Sequence, residues 1–350
     1  MVYPAIETQE NSKKHINRIK IVAVLLTIFG LGLFSYFVYS VGMKELYHNV
    51  LRFGVVGFAV ILGIHFVKIC VRSYAWKLCL HEPYSLSLRD TIPAVVIGEA
   101  MSSTVPLGIL ISGTAKAVAV RNRIPLVAGL SSVATENLFY SLATSIFLII
   151  GGIILLNGFA IDETLVITVN FLIIAVSIII VLGFLMVIRQ WHFISFTCNW
   201  IYKIGFFRSI LENGRQNVRR FEDLIYGFYR HYPKRFLPIC LLEAAYFVLG
   251  ITEVWYILSR LTDKYPGLLS AFLMEAVSRL ITVIFKLIPF VIGVDEAGAQ
   301  IIGDTVALAA GVAVTLAIIR KGRILFWTAM GWLLIIKREL SVSEISQPRS

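Results

Sequence analysis

Charged residues are scarce in this chain. Asp, Glu, Lys and Arg make up only 15% of its 350 residues, against about 25% in an average soluble domain. Hydrophobic residues make up 58%, and they occur in blocks that are too long for the core helices or strands of a soluble protein. The composition therefore excludes a soluble globular domain. It also excludes a disordered chain, because disorder requires low hydrophobicity and high charge.

Cysteines and catalytic motifs are also few or missing. The four cysteines form no CxxC pair, which argues against a disulfide scaffold and a cysteine metal site. The sequence has no P-loop, no HExxH and no GxSxG, so it predicts neither an ATP-driven pump nor a known type of hydrolase. We expect no cofactor, no metal and no enzymatic activity.

What the sequence does contain is apolar blocks of membrane-spanning length. A helix needs about 20 apolar residues to cross the bilayer core. Six blocks meet this requirement, and a seventh, at 324–336, is short. The six blocks are 20–41, 53–71, 125–157, 164–188, 237–259 and 297–319. The pattern predicts an all-α polytopic membrane protein.

The distribution of Lys and Arg predicts the orientation, because these residues collect on the cytoplasmic side of a membrane. The net charge of +11 is then explained by basic loops at an anionic leaflet, and no nucleic-acid partner is expected. A basic N-terminal tail, 1–19, is predicted to be cytoplasmic at the inner cell membrane. It precedes a single transmembrane domain, 20–338, and a C-terminal tail, 339–350.

Two apolar blocks, about 91–115 and 266–294, are interrupted by polar and helix-breaking residues. The basic residues Arg320, Lys321 and Arg323 are expected to form a cytoplasmic loop after the span 297–319. With that loop inside, 266–294 begins and ends outside, whereas the basic residues before and after 91–115 place both of its ends inside. The sequence therefore predicts two re-entrant hairpins that enter from opposite faces, as in transporters built from inverted repeats.

The two interrupted blocks share a short sequence pattern. The first contains Glu99-Ala100-Met101-Ser102 and the second contains Glu275-Ala276-Val277-Ser278. Helix-breaking residues follow each pattern, and the backbone groups that they free must face protein or a wet cavity. The predicted breaks are at Pro106, Gly108, Pro289 and Gly293.

Ionisable groups at membrane depth are costly, so each one needs a structural or functional reason. In both hairpins the polar residues recur at helical spacing, which places them along one face of each helix. They are the candidate substrate-binding residues, and the alternative is that they only fasten helices together. The candidates are Glu99, Ser102, Ser103, Lys116, Glu136, Glu275, Arg279, Lys286 and Glu296. Asp295 is expected to cap a helix that begins near Glu296.

The long basic segment 189–236 has a pattern of its own. Val218, Phe221, Ile225 and Phe228 recur at helical spacing among basic residues. This predicts an amphipathic helix on the cytoplasmic surface, with an ordinary basic loop as the alternative.

These motifs resemble the transmembrane region of the lysylphosphatidylglycerol synthase/flippase family. The resemblance rests on Arg72-x-x-x-Trp76, on Gly98-Glu99-x-x-Ser102-x-x-x-Pro106, and on Pro289-x-x-x-Gly293-x-x-Glu296 followed by Arg320. It implies a stand-alone flippase-like membrane protein without the synthase domain.

The expected function is movement of a lipid, or a lipid-linked amphiphile, between leaflets through a groove formed by the two hairpins. The expected partners are membrane lipids: an anionic or amino phospholipid, or a polyprenyl or terpenoid lipid. Two alternatives stay open. One is a non-transporting accessory or anchor subunit for a lipid or glycan biosynthesis enzyme, held through 189–236. The other, weaker one is an intramembrane lipid-modifying enzyme.

Overall fold

The computed structural model describes most of the chain, and every element in the described part is helical. The all-α prediction is confirmed. The described residues are 32, 35–36, 39–104, 108–159, 163–189, 219, 222–262, 267–285, 291–309 and 311–338.

Four long helices form the frame, and all four are long and apolar enough to cross a membrane. They are α1 (Met43–Leu78), α4 (Leu126–Gly158), α5 (Glu163–Arg189) and α6 (Phe236–Leu261). They coincide with the predicted spans 53–71, 125–157, 164–188 and 237–259. Large apolar side chains such as Val55, 86% exposed, and Phe171, 69% exposed, point outward from them, as expected of helices that face lipid.

The interrupted blocks each fold as two helices separated by a short break. Hairpin 1 consists of α2 (Leu88–Thr104) and α3 (Gly108–Ala119), and hairpin 2 consists of α7 (Leu268–Ile284) and α8 (Val294–Thr305). Within each hairpin the two helices pack against each other through apolar side chains. The structure contains no membrane, so entry and exit at one face of the bilayer stays a prediction.

The predicted span 297–319 is wrong. Helix α8 ends at Thr305, and a new helix, α9 (Val312–Lys337), runs without interruption through the expected cytoplasmic loop. A left-handed Gly311 at φ 76° begins this helix, a conformation that favours glycine. Consequently α9 joins the second half of that span to the short apolar block 324–336.

The basic residues of α9 explain why the orientation argument misplaced this region. Arg320 and Arg323 are each only 5% exposed, and both pair with carboxylates of neighbouring helices. A charge that is neutralised by partners can lie inside a helix bundle, where the orientation rule for loops does not apply. The opposite entry of hairpin 2 therefore has no support from these residues.

Helix α9 occupies the centre of the fold. It packs against α2 of hairpin 1, against α8 of hairpin 2, and against α1 and α6. The contact with α2 is close, because a Cβ atom added to Gly331 would lie 2.8 Å from the carbonyl oxygen of Val96. Helix α9 therefore contacts both hairpins.

We expect Gly331→Val to destabilise the protein by about 1–3 kcal/mol, because the larger side chain would force α2 and α9 apart. Thermal unfolding in detergent micelles measures the effect. Gly183→Ala in α5 is the matched control, since an added Cβ there meets no atom within 4 Å. Equal loss of stability in both variants would contradict the close packing of α2 on α9.

Several predicted features lie outside the described residues. These are the two tails, most of the span 20–41, and positions 190–218 of the basic segment. In the remainder of that segment, 222–231 is helical, with Phe228 buried among aromatic rings. Pro106, Pro289 and Lys286 also lie outside the described residues.

Candidate functional site: an ion-pair network between the hairpins

A connected network of charged side chains lies between the two hairpins. Its members come from both hairpins and from the helices around them, α1, α4, α6 and α9. Six cations take part, together with four carboxylates and two linking side chains, His65 and Tyr140. The cations are Lys68, Arg72, Lys116, Arg279, Arg320 and Arg323, and the carboxylates are Glu99, Glu136, Glu253 and Glu275.

The hairpin 1 half of the network is centred on Glu136 of α4. One oxygen of this carboxylate accepts from Arg72 Nε of α1 at 2.8 Å, and the other accepts from Lys116 Nζ of α3 at 3.3 Å. The Glu136 side chain is fully buried. An ionised carboxylate is tolerated there because both of its oxygens have cationic donors. Glu136 thereby connects hairpin 1 to two frame helices.

The hairpin 2 half contains two more buried carboxylates. Glu275 of α7 accepts from Arg279 at 2.8 Å and from Arg320 of α9 at 2.7 Å. Glu253 of α6 pairs with Arg323 of α9, and Lys68 and Arg320 lie 3.8 and 3.7 Å from its oxygens. Arg320 therefore lies between the two carboxylates and connects α9 to both α6 and α7.

Two side chains connect the halves. Arg323 donates to Nδ1 of His65 at 2.9 Å, so the Nε2 hydrogen of His65 can donate to Glu99 of hairpin 1 at 3.1 Å. On the other side, Arg279 donates to the Tyr140 hydroxyl at 3.3 Å, and the Arg72 guanidinium lies 4.4 Å from the centroid of the Tyr140 ring. The charged groups of the two hairpins therefore belong to one network.

Helical spacing in the sequence explains how α1 and α7 each present several side chains to the network. His65, Lys68 and Arg72 are three and four residues apart, which places them along one face of α1. Glu275 and Arg279 are four residues apart on α7, and they form the i,i+4 pair that their spacing predicts.

The network carries more positive than negative charge, with six cations against four carboxylates. Three guanidinium nitrogens, Arg279 Nε, Arg320 Nη1 and Arg323 Nε, are buried without a hydrogen-bond acceptor in the part of the chain that the structure describes. Buried donors without acceptors are costly. The interior therefore offers N–H groups to an anion, although oxygens of Glu253 and Glu243 are also buried there without a hydrogen-bond donor among the described residues.

A second, smaller cluster holds the tip of hairpin 2. Lys321 of α9 lies 3.0 Å from Glu296 and 3.8 Å from Asp295, and Ser278 of α7 donates to Asp295 at 2.9 Å. The expected cap at Asp295 is wrong, because α8 begins at Val294, two residues before Glu296. Gly293, at φ 82°, caps it, and its N–H donates to Glu296 at 2.8 Å.

The structure brings most of the predicted site residues together. Glu99, Lys116, Glu136, Glu275 and Arg279 all belong to the network. Glu296 belongs to the tip cluster instead, 3.0 Å from Lys321. Ser103 has a local role, because its hydroxyl donates to the Glu99 carbonyl of its own helix. Ser102 is half-buried.

Sequence reasoning missed His65, Arg320 and Arg323 as members of the site. His65 links Glu99 to Arg323. Its spacing from Lys68 and Arg72 was the available signal. The two arginines were assigned to a loop, and nothing local in the sequence distinguishes a basic loop from a paired basic helix face.

Comparison with known proteins agrees with the motifs in the sequence. The family model for the lysylphosphatidylglycerol synthase TM region matches residues 20–331. The chain belongs to this family. The match covers both hairpins and nearly all of α9, so every member of the ion-pair network lies within the family region. No curated protein and no solved structure matches the chain.

Membership in this family, together with the four apolar helices, identifies a multi-pass membrane protein. The family description places the matched region in the membrane part of a phospholipid synthase. A role that involves membrane lipids follows at that level of detail.

Proposed function

We propose that the protein moves a lipid with a phosphate-bearing headgroup between the leaflets of the cytoplasmic membrane. The headgroup passes along the polar face between the two hairpins while the tails stay in the bilayer. The observation that carries this proposal is the ion-pair network itself, which joins both hairpins and has more cations than carboxylates.

The exposure of the network members supports this assignment. The Glu136, Glu253 and Glu275 side chains are 0% exposed, whereas Arg72 is 15% and Arg279 is 13% exposed. A headgroup that approaches the network therefore meets guanidinium groups before it meets most of the carboxylates. Arginine is well suited to phosphate, because its planar donors match the phosphate oxygens.

Glu99 is the exception among the carboxylates, with 25% of its side chain exposed. It lies on hairpin 1 and is held by His65 at 3.1 Å. A partly exposed carboxylate near partly exposed arginines suits a headgroup that also carries an amine. Glu99 is therefore the residue proposed to discriminate between amine-bearing and purely anionic headgroups.

The surface beside Arg279 suits an apolar tail. A groove of about 80 Å³ lies between α4, α5 and α7, and its lining side chains are apolar throughout. Ala276, Val277 and Leu280 of α7 line this groove and are sequence neighbours of Arg279. The groove therefore provides an apolar surface for lipid tails on the helix that carries Arg279, on a different face of that helix.

The proposed activity involves no change to the lipid. The N-terminus is proposed to be cytoplasmic, as the basic tail predicts.

An accessory role through the basic segment predicts that substitutions in that segment abolish function while hairpin substitutions do not. An intramembrane enzyme predicts turnover of labelled lipid by purified protein.

We expect Arg279→Gln and Glu99→Gln to slow lipid translocation by about tenfold to a hundredfold. Each removes a hydrogen bond to a charged group, worth about 1.5–3 kcal/mol, and a tenfold change in rate corresponds to about 1.4 kcal/mol. A fluorescent-lipid flip assay in proteoliposomes measures the rate.

Arg260→Gln and Glu163→Gln are the matched controls, because both residues are exposed. Size-exclusion profiles establish that each variant is folded. Translocation at the wild-type rate by both hairpin variants would overturn the assignment of the network as the headgroup path.

A further inference from the structure

One buried carboxylate has no partner. Glu243 lies on α6 and is 1% exposed. Neither of its oxygens accepts a hydrogen bond within the described residues. Within the described ranges, Glu243 is the one carboxylate whose two oxygens are both buried without a hydrogen-bond partner. This distinguishes it from Glu136, Glu253 and Glu275, which all pair with cations.

The cations near Glu243 already pair with another carboxylate. Glu136, Arg72 and Lys116 lie within electrostatic range of Glu243, but Arg72 and Lys116 both donate to Glu136. The other titratable groups that face Glu243 do not supply a cation. They are Tyr140 of α4, Cys79 next to the end of α1, and Cys240 of α6.

We propose that Glu243 is a proton-binding site. An ionised carboxylate at this burial, with no donor to either oxygen, would cost several kcal/mol. A bound proton removes the charge and with it most of that cost, and it leaves Arg72 and Lys116 paired with Glu136. The ligand of this site is thus H⁺, and the site is full in the arrangement that the structure shows.

Proton release changes the pairing. When the Glu243 carboxyl gives its proton to water, the resulting carboxylate competes with Glu136 for Arg72 or Lys116. Lys116 belongs to α3 of hairpin 1, so a change of partner loosens the contact between hairpin 1 and α4. This step couples the proton to movement of the hairpin, so it rests on the proposed function. The proton site itself is independent of that function.

Infrared spectroscopy of the purified protein tests the site without any transport measurement. We expect the wild type near neutral pH to show the C=O stretching band of a protonated carboxyl group, and Glu243→Gln to lack it. Glu163→Gln, at an exposed carboxylate, keeps the band. Glu136→Gln is expected to lose it as well, because Arg72 and Lys116 are then free to pair with an ionised Glu243.

A wild-type spectrum without the band, or a band that persists in Glu243→Gln, overturns the proposal. Glu243→Asp covers the case in which the glutamine variant does not fold, since it should move the band instead of removing it.

The coupling has its own readout: the flip rate should depend on pH in the wild type and lose that dependence in Glu243→Gln. Absence of lipid flipping would overturn the proposed function while the infrared result still decides the proton site.

Discussion

Replacing Glu275 by alanine is expected to reduce the free energy of unfolding by about 3–5 kcal/mol, the effect of removing one partner from a buried ion pair. The substitution would leave Arg279 without its carboxylate and Arg320 with only a 3.7 Å contact to Glu253. The Arg320 side chain is buried, so water does not replace its lost partner. Denaturation in mixed detergent micelles, followed by circular dichroism, measures the loss.

The matched control is Glu163→Ala, at the exposed start of α5. Surface substitutions of this kind change stability by about 0.5 kcal/mol or less. If Glu275→Ala were as stable as this control, Glu275 would be solvated or unpaired, and the hairpin 2 half of the network would be wrong. Glu275→Gln should fall between the two, because it keeps hydrogen-bond acceptance without the charge.

The second large effect concerns the triad of Arg72, Glu136 and Lys116. Glu136→Leu alone is expected to destabilise the protein by about 3–5 kcal/mol, since it removes the carboxylate that pairs with both Arg72 and the buried Lys116. The triple variant with Arg72→Met and Lys116→Met in addition is expected to recover this stability. Apolar side chains of similar volume often replace a buried ion triad at no cost, or with a gain of about 1–4 kcal/mol.

Recovery of stability should not restore function. The triple variant lacks two of the six cations of the network, so we expect it to fold and to translocate lipid at least tenfold more slowly than the wild type. Unfolding curves and the flip assay on the same preparations separate the two effects. A triple variant that flips lipid at the wild-type rate would show that the triad only holds helices together.

The sequence by itself determined the fold class and most of the frame. Apolar blocks of about 20 residues have few alternatives to membrane helices, because every backbone group must be satisfied inside the bilayer. The spans that begin near 125, 164 and 237 are therefore correct to within a few residues, and the span at 53 begins at the kink that Gly54, at φ 71°, introduces into α1. The break predicted at Gly293 is also found, since this residue, at φ 82°, caps the start of α8.

Only the tertiary structure decided which charges meet. Glu275 and Arg279 were predictable as neighbours because one helix carries both, but the partners of Glu136 and Glu253 come from distant helices. Arg320 and Arg323 illustrate the limit most clearly. A basic run has the same local sequence in a cytoplasmic loop and in a buried helix. The difference is the presence of carboxylates on α6 and α7, which only packing can bring within 4 Å.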